Sequence, residues 1–306
     1  MAPNPLPEVY CIILNWNGRQ LLCETVNSVQ KMTYPNFEIV VVDNGSEDGS
    51  EETIEADYPD VTLVKNETNL GFGEGNNVGM QYALDHNVEW IFLLNNDIEV
   101  HPNLLSELIQ AALPVEKIGA LGPKIYFFEK PETFWFAGGQ INFWTGSISH
   151  RGLRKKDHGQ YNEISETDYI TGCALLIHAS ALKEVGLFDP IYSPAYSEDA
   201  DLCQRLRLAG YKLIYVPSAQ VWHKVSSSSG GGMTSFKTQL KVEHNLIFFK
   251  RYAHWYQWPS IVVSIGTMTI FFLFQQLIKG NFKIINALFK GFWKALRRLF
   301  HPHRAR

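Results

Sequence analysis

The sequence predicts an α/β protein with a mostly parallel central sheet that is flanked by helices. Short apolar runs alternate with amphipathic stretches through the first 110 residues, which is typical of strand–helix–strand units. Three of these apolar runs end directly in polar triplets, as strands do when they deliver side chains to a ligand. With 306 residues, of which 45% are hydrophobic, the chain can bury a large core.

The individual elements follow from local pattern. Apolar residues after Leu21 recur at helical spacing, and a second, polar helix is expected to end near Tyr58. The glycine-rich stretch NLGFGEGNNVG, residues 69–79, leads into a third helix. The strands expected between these helices are the runs Val9–Leu14, Phe37–Val42, Val61–Val64 and Glu89–Leu94.

The pattern is less regular from residue 120 to residue 220. It contains a strand-to-helix segment, TGCALLIHASALKEVG, and a helix expected at 198–209. The run SSSSGGG, residues 226–232, is a flexible loop by composition. We therefore assign residues 1–245 to the α/β domain and residues 246–306 to a separate C-terminal segment.

Polar triplets follow three of the predicted strands at Asn15–Asn17, Asp43–Gly45 and Asn95–Asp97. In parallel sheets, ligands lie beyond the carboxyl ends of the strands, so the triplets should line one crevice. Asp97 stands five residues before Pro102, which is early for capping the next helix. With a nearby amide it can instead bind a divalent cation that also holds a diphosphate.

A second polar cluster, formed by Glu198, Asp199 and Asp201, falls at a predicted helix start. Acids in a first turn are favoured by the helix dipole, which explains one or two of them. Three acids together could also present a general base into a cleft, and the pattern leaves both interpretations open. His223, judged alone, is more often a loop or core histidine than a ligand.

The last sixty residues predict membrane-associated helices. Trp255–Ile278 contains no charged residue and is long enough to span a bilayer. Residues 282–299 mix large apolar and basic side chains at helical spacing, as interfacial helices do. The alternative is a helical hairpin packed on the body or on a second subunit of a homo-oligomer. Lys250 and Arg251 before the apolar run and the basic tail after it favour a monotopic or re-entrant arrangement over a single crossing.

Charge is unevenly distributed along the chain. The formal net charge is −4, but residues 279–306 hold eight Lys or Arg and no acid, so the remainder carries −12. The tail is expected to meet anionic lipids, and nucleic acid is disfavoured because its cations alternate with large apolar residues. Four isolated cysteines and no N-terminal secretory signal predict a reducing compartment and the cytoplasmic face of the cell membrane.

Eight motifs in chain order resemble those of inverting family-2 glycosyltransferases with the GT-A nucleotide-diphospho-sugar transferase fold. They are ILNWNG, VVDNGSEDGS, NLGFGEGNNVG, LLNND, TGCALLIHAS, GLFDP, SEDADLCQRLRLAGY and VWH. The resemblance covers roughly residues 8–225. Within the family, the sequence resembles bacterial rhamnosyltransferase-like enzymes of cell-surface polysaccharide assembly. Each motif alone is unspecific, but eight in this order are highly specific.

The resemblance implies roles for the matching positions. Asp199 matches the catalytic base of the family's acidic pair, with Glu198 beside it. Asn95 and Asp97 match the metal-binding element, and His223 matches a histidine that can approach the metal or diphosphate. Because the first of these positions is Asn95 rather than Asp, one carboxylate is left for the metal. The remaining matches are the acceptor-side positions Gly172 and Asp201 and the nucleotide-sugar positions Asn15, Asn17, Asp43, Asn44, Asn69, Gly71, Asn77, Asn95 and Asn96.

These matches imply an enzyme that uses Mg²⁺ or Mn²⁺ to move a sugar from a nucleotide-diphosphate donor to a lipid-linked saccharide acceptor. The first expected donor is dTDP-L-rhamnose, and the alternative is a UDP-hexose or UDP-galactofuranose. A sugar nucleotidyltransferase, from another class, would need a basic glycine-rich triphosphate loop, where the first strand offers only Gly18 and Arg19. A non-catalytic scaffold is disfavoured because both Asp97 and Asp199 are present.

Overall fold

The computed structural model describes residues 6–225 and 234–300, so the expected flexible loop at 226–232 and the end of the basic tail lie outside it. The chain divides into two compact units. The first comprises the described residues within Met1–Gly139, His150–Pro194 and Glu198–Ser228, and the second those within Gln140–Ser149, Ala195–Ser197 and Ser229–Arg306. The functional division at residue 245 stays a prediction.

The described elements alternate between strand and helix in the first half of the chain. The strands are β1 Val9–Asn15, β2 Phe37–Asp43, β3 Thr62–Lys65, β4 Trp90–Asn95, β5 Ile98–Val100, β6 Ile118–Phe127, β7 Lys130–Phe136, β8 Gly139–Asn142, β9 Ser147–His150, β10 Ser165–Glu166, β11 Ala174–His178 and β12 Lys212–His223. The helices are α1 Arg19–Val29, α2 Ser50–Asp57, α3 Phe72–Asp85, α4 Leu104–Ala112, α5 Ala179–Val185, α6 Glu198–Leu208, α7 Ser235–Tyr252, α8 Trp258–Ile278 and α9 Phe282–Phe300. Short 3₁₀ turns occur at Pro190–Tyr192 and Trp255–Gln257.

A ten-stranded sheet forms the centre of the first unit within the described residues. Its order is β10–β12–β6–β11–β4–β1–β2–β3, with β5 paired to β12 and β7 paired to β6. The strands β3, β2, β1 and β4 lie side by side and run parallel to one another. The next strand, β11, lies antiparallel between β4 and β6. The predicted α/β class is therefore confirmed, and the sheet is mixed because β11 reverses its direction.

The strands that carry the polar triplets are buried on both faces. Val40, Val41 and Val42 of β2 are fully buried, which explains a continuous β-branched run in place of an alternating one. α3 packs on β1 and β2, and a Cβ at Gly79 would lie 2.5 Å from Cγ2 of Ile12. Glycine at this position therefore lets the helix approach the sheet closely.

The glycine-rich stretch is largely helical. α3 begins at Phe72, so Gly73, Gly75 and Gly79 lie inside the helix, and only the start of the stretch is a loop. Gly71 precedes the helix with φ of +85°, a left-handed conformation that glycine adopts at no steric cost. A Cβ there would lie 2.8 Å from the carbonyl oxygen of Pro194.

The second unit contains α7, α8, α9 and most of the β8–β9 pair. α7 packs along α9, most closely at Gly291, where a Cβ would lie 2.6 Å from the carbonyl oxygen of Gln239. His244 of α7 is fully buried, and its Nδ1 donates to the carbonyl oxygens of Ala195 at 2.8 Å and Tyr196 at 3.1 Å. The stretch Trp255–Ile278 is long and apolar enough to cross a membrane, judged by length and composition.

Candidate active site

All three polar triplets meet at the carboxyl edge of the sheet. Asn15 of β1 pairs with Asp43 of β2, and Leu14 pairs with Asn95 of β4. The Asn96 Nδ2 donates to Asn15 Oδ1 at 2.7 Å, and the Asn15 Nδ2 donates to Asp43 Oδ1 at 3.0 Å. Both Asn15 and Asp43 are fully buried. The structure therefore brings the triplets into one hydrogen-bonded chain, as their positions at strand ends predict.

The turn after β2 completes this chain. The Ser46 backbone N–H donates to Asp43 Oδ2 at 2.8 Å, and the Ser46 hydroxyl accepts from the Asn17 backbone N–H at 2.9 Å. The Asn17 side-chain oxygen accepts from the Glu47 N–H at 2.7 Å. Asn17 thus holds the turn in place. Ser46 was not among the predicted site residues, although it stands in the turn signal DNGS.

A second amide cluster fixes the loop before α3. The Asn44 Nδ2 donates to Asn69 Oδ1 at 3.0 Å and to the Gly71 carbonyl oxygen at 3.1 Å. The Asn69 Oδ1 also accepts from the Gly71 N–H at 2.8 Å. These contacts join the end of β2 to the start of α3, so Asn44, Asn69 and Gly71 form one rigid edge of the crevice.

Asp97 and His223 form a buried pair. Asp97 lies just before β5 and His223 ends β12, and these two strands are antiparallel neighbours. Oδ1 of Asp97 lies 3.1 Å from Nε2 of His223, and the residues are 4% and 7% exposed. Two residues 126 positions apart in sequence are therefore delivered to one place by strand pairing.

The surroundings of His223 favour its cationic form. Burial lowers the pKa of His223, but Cys173 and the hydrogen-bonded Asp97 carboxylate oppose this and raise it to about 10. The ring of Trp135 stands edge-on to the imidazole, with centroids 4.5 Å apart. Neither Cys173 nor Trp135 was predicted as a site residue, because neither belongs to a residue pattern with a chemical signature.

Asp199 is held by the backbone of the turn that precedes β11. The Gly172 N–H donates to Asp199 Oδ2 at 3.1 Å. Burial raises the pKa of Asp199, and the hydrogen bonds from the Gly172 and Ala200 backbone oppose the rise. Asp199 itself keeps partial exposure to solvent. A desolvated carboxylate that solvent can still reach is suited to taking a proton from a substrate.

Glu198 differs from its neighbour in accessibility. It is 5% exposed, and its Oε2 has no hydrogen-bond partner among the described residues. Burial and the nearby charge of Asp199 raise the pKa of Glu198 well above its ordinary value. Glu198 is therefore poorly placed to exchange protons with a substrate, and Asp199 is the stronger candidate for the base.

The Gly172–Cys173 turn lies close to both candidate acidic groups, Asp97 and Asp199. The Asn95 N–H donates to the Cys173 carbonyl oxygen at 3.0 Å, which brings the polar end of β4 to this turn. The charges of both Asp97 and Asp199 act on the pKa of the Cys173 thiol. Asp199 and the polar end of β4 are therefore attached to the same turn.

Asn77 and Asp201, both predicted site residues, have structural partners. The Asn77 amide exchanges two hydrogen bonds of 2.9 Å with the Phe188 backbone. Asp201 is fully buried; it binds Arg205 Nε at 2.8 Å and the Tyr192 hydroxyl at 3.1 Å. The geometry therefore gives both residues the task of holding the loop before α6 in place.

The chain is similar in sequence to several known proteins. The family model described as Glycosyl transferase family 2 matches residues 10–186. The chain is 28% identical over 245 residues to the N-acetylglucosaminyl-diphospho-decaprenol L-rhamnosyltransferase of Mycobacterium tuberculosis, a match that covers 72% of this chain and 77% of that protein. It is 27% identical to the poly-beta-1,6-N-acetyl-D-glucosamine synthase of Staphylococcus epidermidis, over 71% of this chain and 50% of that one.

Solved structures share the fold. The mannosyltransferase PcManGT from Pyrobaculum calidifontis, in complex with GDP-Man and Mn²⁺, matches with a TM-score of 0.62 at 15% identity, over 96% of this chain and 88% of that chain. GalNAc-T7 with UDP, GalNAc and Mn²⁺ also gives a TM-score of 0.62, at 21% identity, over 78% of this chain and 48% of that chain. The expected GT-A architecture is therefore confirmed.

Proposed function

Because the chain belongs to glycosyl transferase family 2, we propose that it transfers a sugar from a nucleotide-diphosphate donor to a lipid-linked saccharide with inversion at the anomeric carbon. The first donor to test is dTDP-L-rhamnose, and a UDP-hexose or UDP-galactofuranose is the alternative. The similarity to an N-acetylglucosaminyl-diphospho-decaprenol L-rhamnosyltransferase supports L-rhamnose as the transferred sugar and a lipid-linked acceptor. The similarity to a poly-beta-1,6-N-acetyl-D-glucosamine synthase supports a role in cell-surface polysaccharide synthesis.

The nucleotide belongs at the carboxyl edge of the sheet. Asn15 and Asp43 meet there, and the Asn44–Asn69 contact fixes the adjacent loop. Hydrogen-bonded amides and a buried carboxylate give this edge a fixed set of donors and acceptors, which is what recognition of a nucleoside requires.

The donor set fits a divalent cation. Carboxylate oxygens are ligands that suit Mg²⁺ and Mn²⁺, and Oδ1 of Asp97 lies 3.1 Å from Nε2 of His223, a second candidate ligand. The described residues contain no cluster of three or more acidic, His or Cys side chains suited to a metal, so the protein supplies few ligands and the donor diphosphate the rest. Asp97 would hold Mg²⁺ or Mn²⁺ together with His223, with Asn95 nearby. His223 would bind as the neutral imidazole, because a metal ion displaces the proton from a histidine ligand. The ion would offset charge on the leaving diphosphate.

Asp199 acts as the general base. It takes the proton from an acceptor hydroxyl, whose oxygen then bonds to the anomeric carbon as the bond to the diphosphate oxygen breaks. One displacement inverts the configuration, so no carboxylate nucleophile is needed. The observation that carries this proposal is that Asp199 is hydrogen-bonded to the Gly172–Cys173 turn, to which the backbone of Asn95 at the polar end of β4 is also bonded.

The reaction is placed at the cytoplasmic face of the membrane. A lipid-linked acceptor is confined to the bilayer, so the enzyme must work at its surface. All four cysteines, which lie in the described part of the chain, are free thiols, as suits a reducing compartment.

The experiment is a screen of the purified protein with sugar nucleotides and polyprenyl-diphosphate saccharides, with and without a chelator. The expected result is sugar transfer with release of nucleoside diphosphate, and loss of transfer with the chelator. Release of inorganic pyrophosphate would indicate a nucleotidyltransferase instead, and no turnover of any donor across the panel would contradict the proposal.

A further inference from the structure

α9 has two apolar faces, and one of them is occupied. Ala287, Leu288 and Ala295 are buried, and Gly291 brings this face into backbone contact with α7. Arg298 adds an ion pair of 3.2 Å with Glu243 of α7. The α7–α9 contact is therefore a close-packed interface and fixes where α9 lies in the second unit.

The opposite face of α9 is apolar and exposed. Phe282, Phe289, Trp293 and Leu296 are between 50% and 67% exposed. At 3.6 residues per turn these four side chains fall on one stripe, on the side of the helix away from Gly291. Large aromatic side chains aligned in this way mark an interaction surface.

α8 is a second exposed apolar helix of this unit. Its side chains are apolar on every side, and the buried residues in it are Ile261 and Gln276. Ile270, Phe271 and Phe274 are each more than 60% exposed. A helix that is apolar all round is stable when it is surrounded by apolar material.

The cationic side chains beside the stripe indicate that the apolar surroundings of these helices are a lipid membrane. Lys283, Lys290, Lys294 and Arg297 are exposed and lie along one flank of the α9 stripe at helical spacing, and residues 279–306 contain no acid. A second copy of the chain docked face to face would bring these cations together. Anionic lipid headgroups would instead neutralise them while acyl chains cover the aromatic residues.

The packing of α9 also decides how α8 meets the lipid. With 21 residues, α8 is about 32 Å long, close to the thickness of the hydrocarbon core, so its length alone permits a crossing. α7 precedes α8 and α9 follows it, however, and α7 and α9 are packed together. If α8 crossed the bilayer, α9 would start on the far side and the α7–α9 interface would be lost.

We propose that α8 and the outer stripe of α9 insert together into one leaflet of an anionic membrane, with neither helix crossing it. The cationic flank of α9 then lies at the headgroups. This deepens the proposed function by naming the surface at which the acceptor is met, and its test needs no transfer activity, so the two proposals fail separately.

The first test is flotation of the full chain with vesicles of phosphatidylcholine alone or with about 30% phosphatidylglycerol. We expect binding to the anionic vesicles, weakened at least about tenfold between 0.1 and 0.5 M salt and in Lys290→Glu and Trp293→Ser. Lys130→Glu, the same charge change at an exposed site in the first unit, should bind as the wild type does. Equal binding to both vesicle types, or dimerisation without vesicle binding, would overturn the proposal.

The second test determines topology. Lys250→Cys and Lys279→Cys place a thiol before and after α8, both at exposed positions. With the protein bound to sealed vesicles from outside, a membrane-impermeant maleimide should label both thiols above the wild-type background. Labelling of residue 279 only after the vesicles are opened would show that α8 crosses and would refute insertion into one leaflet.

Discussion

The Gly172 backbone N–H donates a hydrogen bond of 3.1 Å to Oδ2 of Asp199. This bond joins the turn before β11 to the first helical turn of α6. A backbone donor cannot rotate away as a side chain can. The orientation of the candidate base is therefore set by the sheet.

Replacing Asp199 by Asn should remove the base and leave the fold intact. We expect kcat at saturating donor to fall by about 10²–10⁴-fold, with little change in the KM of the nucleotide sugar. Stability should not fall, because burial already disfavours the charged carboxylate at this position. Initial rates and thermal unfolding measure these effects, and turnover within tenfold of wild type would exclude Asp199 as the base.

Asp201→Asn is the matched comparison on the same helix. Its carboxylate is fully buried and accepts a hydrogen bond from the half-buried Arg205, so losing the charge weakens a charge-assisted hydrogen bond and should cost about 1.5–3 kcal/mol of stability. Stability loss in Asp201→Asn and turnover loss in Asp199→Asn together separate the structural acid from the catalytic one.

Glu198→Gln should stabilise the protein at neutral pH. The pKa of Glu198 is raised in the folded state above its ordinary value of 4.5. Below that value the carboxyl is neutral in both states, and the variant should match the wild type. As the pH rises above it, the unfolded chain ionises first and is thereby stabilised relative to the folded chain. The variant escapes this penalty, so its Tm should exceed that of the wild type by a few degrees.

Thermal unfolding at about pH 4 and pH 8 checks this dependence. Glu116→Gln makes the same change at an exposed position and should alter Tm at neither pH. Equal Tm values for Glu198→Gln and wild type at pH 8 would show that Glu198 carries no burial penalty.

Asp97→Asn should weaken Mn²⁺ binding in the presence of nucleoside diphosphate. The change removes the carboxylate of the Asp97–His223 pair, and affinity for hard cations falls with ligand charge. We expect a loss of at least about tenfold, measured by the spin resonance signal of free Mn²⁺. His223→Gln should also bind the ion more weakly. Unchanged affinity in both variants would place the metal elsewhere.

Gly71→Ala should destabilise the loop before α3. The new Cβ would stand 2.8 Å from the Pro194 carbonyl oxygen, in a backbone with φ of +85°. We expect a cost of about 1–3 kcal/mol in the free energy of unfolding. Gly73→Ala, two residues on and inside α3, would place its Cβ 3.7 Å from the nearest atom and should gain up to about 1 kcal/mol. Equal stability of the two variants would contradict the argument.

The positions of Asp43, Asn95 and Asp97 could be predicted from the sequence because a strand end is a local signal. An apolar run that stops at a polar triplet places that triplet at the edge of a parallel sheet. The pairing of Asp97 with His223 spans 126 residues and follows from the β5–β12 register, which local pattern does not contain. Family resemblance, and not spacing, indicated His223.

The structural roles of Asn77 and Asp201 could not be predicted. Asn77 finds its partner, the Phe188 backbone, 111 residues away, and Asp201 is neutralised by Arg205 one helical turn later. A polar residue in a sequence motif gives the same signal whether its side chain contacts a ligand or a loop. The short strands β8, β9 and β10 were also missed, since two to four residues carry no periodic signal.

The contact of His244 with Ala195 and Tyr196 bears on how this protein should be shortened for study. The carbonyl groups that it binds stand just before Glu198 and Asp199 in the chain. Deleting α7–α9 to gain solubility would leave those carbonyl oxygens without their hydrogen-bond donor and would loosen the peptide that leads into α6. Replacing Phe289, Trp293 and Phe274 by polar residues would reduce the exposed apolar surface and keep His244 in place. It is therefore the better route to crystals.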